Sequence, residues 1–467
     1  MTMPNHDLTR LIQPHRRQVL GSTAAAFAGL VASGCGTGGS GAASVAPVST
    51  GPAPTPAPTP TPSSALVPDP DGLLDLQEGF SYRVLSRLGD AMDDGLTVPD
   101  RADGMGAFAL GASGAGGDIA LVRNHELSPG QGTGGDLPNG YARDDRGSVL
   151  PGGTTTLVLD AQTLAVKRQF RSSAGTVRNC AGGVTPWGTW LTCEEPGSRM
   201  GDLPGHGFVF EVPAGATTLV DAQPIKPMGR FNHEAACVDP ATGIVYMSED
   251  RDDGLLYRYI PDTPGDLAAG GRLQALALTS GITDSRNWNG ANIAKGTAYA
   301  ARWIDIDNPE APADDLRARG AAAGALLIAR GEGIHMGLNE NGAEFYLCST
   351  SGGAARVGQI LRVRPGAGGA ADTLELFFES ESTAQFHYGD NLTVAPFGDL
   401  IVCEDQSGDG NENRLIGVTP TGEPYVFGRL RLSTELAGGC FSRDGKWFFV
   451  NAYSPSTTFA ITGPWTA

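Results

Sequence analysis

The sequence is short of positive charge. Its 467 residues carry 33 Lys and Arg against 51 Asp and Glu, a formal net charge of -18. Such a surface repels nucleic acid and anionic membranes. It also repels phosphate and carboxylate ligands, unless cations sit where they bind. Helix-period segments are scarce, which argues against a helical bundle. The apolar run near the N-terminus, "VLGSTAAAFAGLVA" (19–32), is too short for a membrane span. There is no CxxC or HxxxH spacing for a zinc cluster. There is also no G-x-S-x-G elbow and no P-loop.

What is present is turn chemistry. Glycine (67) and proline (32) break the chain into short β-rich runs, the pattern of an all-β protein. Three segments differ in composition. Residues 1–35 read as an export signal: Arg16 and Arg17 precede the apolar run, as in twin-arginine (Tat) signals. "ASGC" ends that segment like a lipobox, making Cys35 a candidate lipid anchor. Residues 36–65, rich in Gly/Ser and then Pro/Thr, read as a disordered tether. Residues 66–467 are the folded domain.

That domain repeats itself. "GGDIALVRNHE" (116–126), "WGTWLTCEE" (187–195), "TGIVYMSED" (242–250), "NGAEFYLCST" (341–350), "FGDLIVCED" (397–405) and "DGKWFFVNA" (444–452) share a turn, a hydrophobic strand and usually a polar end. Most follow a second strand with a polar start. Six such hairpins predict a six-bladed β-propeller with irregular insertions between blades, notably across 251–331. Each hairpin would bring its two polar ends together at one central mouth.

The mouth then collects Glu126, Cys180, Glu194, Glu195, Glu234, Glu249, Asp250, Glu332, Asp390, Asn391, Glu404 and Asp405. Cys180 and Glu195 lie fifteen positions apart, as do Glu234 and Glu249, so the two pairs are taken as equivalent. That many carboxylates cannot share a pocket as anions without cations. Oxygen donors suit a hard ion such as Ca²⁺. A lone thiolate among them points to a transition metal such as iron. The other cysteines, Cys193, Cys237, Cys348, Cys403 and Cys440, read as core residues. Arg330, two residues before Glu332, would face the same way and could clamp a phosphate oxygen. Arg178 and Arg230 are weaker candidates for that role. His125 and His233, each preceding a ring glutamate, read as supports for the ligands.

At these residues the sequence resembles a known family. "RNCAGGVTPWGTWLTCEE", "GRFNHEAACVDPATGIVYMSEDRDDGLLYRYIP", "ARGEG", "STSGGAARVGQILRV" and "DNLTVAPFGDLIVCED" are similar to the PhoX family of bacterial alkaline phosphatases. The resemblance runs in order from about residue 75 to 452. It implies a six-bladed propeller, Tat export and a site with two irons (Fe³⁺) and three Ca²⁺ ions bridged by an oxo group. Cys180, Glu195, Glu234 and Glu332 match iron-binding positions, and Arg330 matches a phosphate-contacting arginine. Calcium ligation by Glu126, Glu249, Asp250, Asn391 and Asp405 leans on the ring pattern as well. The chain departs from the family in being shorter than typical members and in having Gly331 where proline is usual.

The expected function is metal-dependent phosphomonoester hydrolysis, with a metal-bound oxide or hydroxide as nucleophile. The expected partner is a small phosphate ester, met by a monomer in the periplasm or tethered to a membrane. A Ca²⁺-dependent propeller lactonase is one alternative. A non-catalytic tethered binding propeller is the other.

Overall fold

The computed structural model describes residues 65–465, except 112–116, 133–134, 136, 198–199, 340–341, 367–369 and 407–411. The export signal, Cys35 and the tether up to residue 64 lie outside the described residues. Among the described residues, no helix is long and apolar enough to cross a membrane.

Six antiparallel hairpins organise the described chain. They pair Ala102–Leu110 with Asp118–His125, Asn179–Val184 with Thr189–Glu194, and His233–Val238 with Val245–Glu249. The other three pair Gly331–Asn339 with Gly342–Ser349, Gly389–Val394 with Leu400–Glu404, and Leu436–Phe441 with Phe448–Ala452. These are the six repeats of the sequence. The first strand of each hairpin packs against the first strand of the next, and the last of them returns to the first, closing a ring. The arrangement is all-β and β-propeller-like. Its hydrogen-bonded sheets number five among the described residues: one of three strands, two of four, one of six and one of nine. The nine-stranded sheet arises because Ala298–Asp305, in the long insertion, pairs with both Gly271–Leu278 and Thr373–Glu379. Strand Ser81–Arg87 pairs with Thr457–Thr462, so an early strand completes the last sheet.

Apolar side chains from facing sheets fill the space between them. Cys403 packs with Phe427, Phe448 and Val450, for example, and Cys193 with Met228 and Phe231. The six cysteines of the described region are free and buried. The long insertion across 251–331 contributes one short helix, Leu316–Ala322, whose Leu316 joins the core with Tyr257 and Leu273.

Two backbone features repeat around the ring. In each hairpin the ladder shifts register inside the first strand, between Ala102 and Met105, Asn179 and Gly182, His233 and Ala236, Gly331 and Ile334, Gly389 and Leu392, and Ala437 and Cys440. A bulge of this kind bends the strand and re-aims the side chains at the slip. The first residue inside each slip is Asp103, Cys180, Glu234, Glu332, Asp390 or Gly438. Second, the residue after each hairpin donates its N–H to the carbonyl of the residue before it. The pairs are Glu126 to Arg101, Glu195 to Arg178, Asp250 to Asn232, Thr350 to Arg330, Asp405 to Tyr388 and Tyr453 to Glu435, at 2.9–3.3 Å. One mouth thus carries a rim layer and, beneath it, a bulge layer.

Candidate metal centre

Ligand atoms from the two layers converge in two sets. Glu126, Cys180 and Glu195 form one, and Glu234, Glu332 and Asp390 form the other. Within each set the donor atoms lie within 4.8 Å of one another. All six residues are buried. Asp103 adjoins the first set, its Oδ2 3.6 Å from the Cys180 thiol.

Two arginines tie these acids together, Arg178 within the rim and Arg330 from the rim to the bulge layer. Arg178 Nη2 bonds Glu195 Oε2 at 2.7 Å and also bonds Glu126. Arg330 Nε and Nη2 bond Asp250 at 2.8 and 3.2 Å, and Nη2 bonds Glu332 Oε1 at 2.5 Å. Other supports are specific. Asn232 Nδ2 donates to Glu195 Oε1 at 2.6 Å, and Tyr453 Oη donates to Glu126.

The electrostatics call for cations. Burial raises Glu195 to about 8, with the Asp250 charge adding and Arg178 opposing. Burial also pushes Glu234, Glu332, Asp390 and Asp103 well above the usual carboxylate range. The next contribution comes from Glu332 on Glu234, from Asp250 on Glu332, from Asp405 on Asp390 and from Asp390 on Asp103. The Cys180 thiol is pushed well up by burial and then by Asp103 and Glu234. Both carboxylate oxygens of Glu234 are buried without a hydrogen-bond partner. An orphaned carboxylate of that kind is costly. A cation coordinated by Glu234, Glu332 and Asp390 satisfies it, so the donor set fits a metal.

The sequence-predicted residues divide cleanly. Cys180, Glu195, Glu126, Glu234 and Glu332 enter the two sets, and Asp250 joins them through Arg330. Asp405 stands at the rim, its charge acting on Asp390 and Arg330. Asn391 is not a member of either ligand set and acts on one as a support. It bonds Asp390 Oδ1 at 2.9 Å and accepts from Gly438 N, while Asp390 beside it supplies the ligand atom.

Glu249 is also outside both sets. It lies in the strand, where it accepts from Leu255 N at 3.2 Å and Tyr257 Oη at 3.0 Å, with Arg317 at 3.8 Å. The third hairpin has a longer turn: Asp239 bonds Ile244, whereas Thr185 bonds Thr189 in the second. Asp250, not Glu249, is therefore the counterpart of Glu195. A one-residue slip reverses the face of a strand side chain. Glu194 and Glu404 likewise turn away, clamped by His206 and Arg414 respectively. His125 and His233 bond the carbonyls of Asp100 and Gly229 and touch no ligand atom by hydrogen bond. Arg230 bonds the carbonyls of Met200, Leu203 and His206, away from the mouth acids.

A family model described as "Alkaline phosphatase PhoX" matches residues 61–456. The chain belongs to the PhoX family. No curated protein matches it. Among solved structures it is similar to a gluconolactonase from Xanthomonas campestris, at 12% identity and TM-score 0.36, covering 86% of this chain and 99% of that one. It is also similar to the β-propeller domain of Cps50 (Swd1) from Myceliophteria thermophila, at 10% identity and TM-score 0.41, covering 82% and 99%. A third is a putative 6-phosphogluconolactonase from Bacteroides uniformis, at 13% identity and TM-score 0.34, covering 75% and 88%.

In this PhoX member, sequence reasoning passed over four polar residues of the mouth: Asp103, Asn232, Glu435 and Tyr453. Asp103 was findable. "ADGMG" aligns with "NCAGG" and "HEAAC" once the bulge is recognised, because each places an acid or thiol one residue into the strand. Glu435 precedes the last inner strand, where burial and then the neighbouring Asp405 push its carboxyl well up, and nothing in its local sequence marks it.

Proposed function

We propose that this protein is a metal-dependent phosphomonoesterase that releases inorganic phosphate from small phosphate esters. The observation that carries the reading, beside family membership, is the orphaned Glu234 carboxylate among Glu332 and Asp390. The thiolate-containing set suits Fe³⁺, with Cys180 and Glu195 as ligands and Glu234 and Glu332 nearby. The remaining oxygen donors, Glu126, Asp250 and Asp405 of the rim and Asp390 of the bulge layer, suit Ca²⁺. Bound cations would neutralise the phosphate and supply a strong nucleophile near neutral pH.

The chain's own residues do the rest. Arg178 and Arg330 use Nε and Nη2 on carboxylates and carbonyls, and neither Nη1 has a hydrogen-bond partner among the described residues. Those two donors are placed to hold the non-bridging oxygens of a phosphate. Charge building on the equatorial oxygens then meets guanidinium groups already held in position by Glu126, Glu195, Asp250 and Glu332. Tyr453 and Asn232 keep Glu126 and Glu195 oriented. No side-chain nucleophile is required.

The closed ring of six inner strands supports reading the nine-stranded sheet as two blades fused at their outer edges, for six in all. The twin arginines and Cys35 support Tat export and a lipid-tethered, periplasm-facing or surface location.

The test is hydrolysis of 4-nitrophenyl phosphate by protein supplied with iron and calcium, with metal content measured alongside. Wild type should turn over, while Cys180→Ser should lose iron and Glu332→Gln should lose activity. Folded, metal-replete protein that cleaves a lactone and no phosphate ester would overturn the proposal.

A further inference from the structure

A second basic feature stands on the rim, outside the two ligand sets. Arg286 and Arg356 both stack on Trp288, their guanidinium carbons 4.5 and 4.6 Å from the ring centroid. The two arginines differ in charge balance. Arg286 is neutralised by Asp284, through Nε to Oδ1 at 2.9 Å and Nη2 to Oδ2 at 2.7 Å. Arg356 is exposed, and among the described residues it has no carboxylate partner. In a chain of net charge -18 it is held out as a free cation. Its backbone is left-handed, at φ 56, a conformation that disfavours a side chain of this size. Among the other described arginines, only Arg101, Arg178 and Arg330 share it, and each directly precedes an inner strand at the mouth.

The stack is tied to the mouth at both ends. Trp288 Nε1 bonds Ser351 O at 2.6 Å, next to the rim residue Thr350. Val357, next to Arg356, accepts from the N–H of the rim residue Tyr388 at 2.9 Å. Arg286 Nη1 bonds Asp252 O at 3.1 Å, and Arg330 N bonds Arg251 O at 2.8 Å. Asn287 fixes the indole's approach by gripping Asn292, Ile293 and Glu379. Arg356 therefore stands in the loop that leaves the fourth hairpin at its rim end, the hairpin that Arg330 precedes, and that loop is tied to the fifth hairpin through Val357 and Tyr388. Stacking on a tryptophan fixes the plane of a guanidinium and leaves its N–H edge free for an oxyanion.

We propose that Arg356, presented by Trp288, is a specificity residue that holds a second phosphate on the leaving group of the substrate. The preferred esters are then bisphosphates rather than monophosphates with neutral leaving groups. This inference rests on the phosphomonoesterase reading above, since it takes the first phosphate to lie at Arg178 and Arg330.

The test separates binding from turnover. Association of fructose 1,6-bisphosphate and of fructose 6-phosphate is measured by calorimetry with the metal-loaded protein. The variants are Arg356→Asn, which suits left-handed backbone while removing the charge, and Arg356→Lys, which keeps the charge but loses the planar stack. Wild type should bind the bisphosphate about tenfold more tightly than the monophosphate. Arg356→Asn should abolish that preference and Arg356→Lys should restore part of it. Kinetically, the preference should appear in KM rather than kcat. No preference in wild type, or a preference that survives in Arg356→Asn, overturns the proposal. A preference lost in Arg356→Asn without turnover of either ester would instead keep the subsite and sink the phosphatase reading.

Discussion

Arg178 and Arg330 hold the same place in two different hairpins. Each lies in left-handed backbone, at φ 47 and 52, immediately before an inner strand. Each joins an acid that ends the preceding hairpin to an acid of its own: Glu126 to Glu195, and Asp250 to Glu332. Holding a non-glycine residue in such a conformation costs about 1–3 kcal/mol. The ion pairs offset that cost, and the repeat lets it recur.

If the two arginines are equivalent in use as well as in place, both should matter for turnover. Arg178→Lys and Arg330→Lys should each lower kcat/KM for 4-nitrophenyl phosphate by about tenfold or more, because a lysine cannot span two carboxylates and still present an N–H edge. Steady-state kinetics on both variants checks this. A deficit confined to Arg330→Lys would mean that the equivalence is architectural only.

The register of the third hairpin makes a second prediction. Asp250→Asn should release Arg330 and lower bound metal. Glu249→Gln should keep the metal content of wild type and change stability by no more than about 2 kcal/mol, since Gln can still accept from Tyr257. Elemental analysis with urea titration distinguishes them. Equal metal loss in the two variants would put Glu249 back in the centre.

Gly438 predicts a third outcome. It occupies the bulge position of the sixth hairpin at φ 69, and a Cβ there would lie 2.2 Å from the Asp103 carbonyl oxygen. Gly438→Ala should cost at least about 2 kcal/mol and disturb Asp103 beside Cys180. Denaturant unfolding measures the loss. Wild-type stability would show that the neighbouring strands give way easily.

Removing metal supplies the fourth. Ions bound only by the folded state raise its stability by about 3–4 kcal/mol when present at 100–1,000 times Kd. Chelation should therefore lower Tm, and re-addition should restore it. An unchanged Tm in protein shown to be metal-free would mean that Glu234 and its neighbours are satisfied by protons alone.

Much of this was legible in one dimension. Turn residues at regular intervals mark six hairpins, because a tight turn needs Gly, Pro or Asp whatever surrounds it. The polar ends of those hairpins mark Cys180, Glu195, Glu234 and Glu332. Where residue counting and the structure part, they part by one position: Glu249 was paired with Glu195 where Asp250 holds that place, and Asn391 was chosen where Asp390 lies in the ligand set. The cause is the same in each case. A longer turn or a bulge moves a strand by one residue, and side chains alternate faces with every residue.

Turn propensity and hydrophobic alternation act locally, so the residues taken in order already specify an all-β repeat with an acidic, thiol-bearing mouth. Which acids share a site is a matter of long-range pairing. That depends on closing the ring, which brings Glu126 to Cys180 and Asp390 to Glu234 across long separations in the chain. It also depends on the bulges, whose hydrogen-bond register exists only once neighbouring strands have paired.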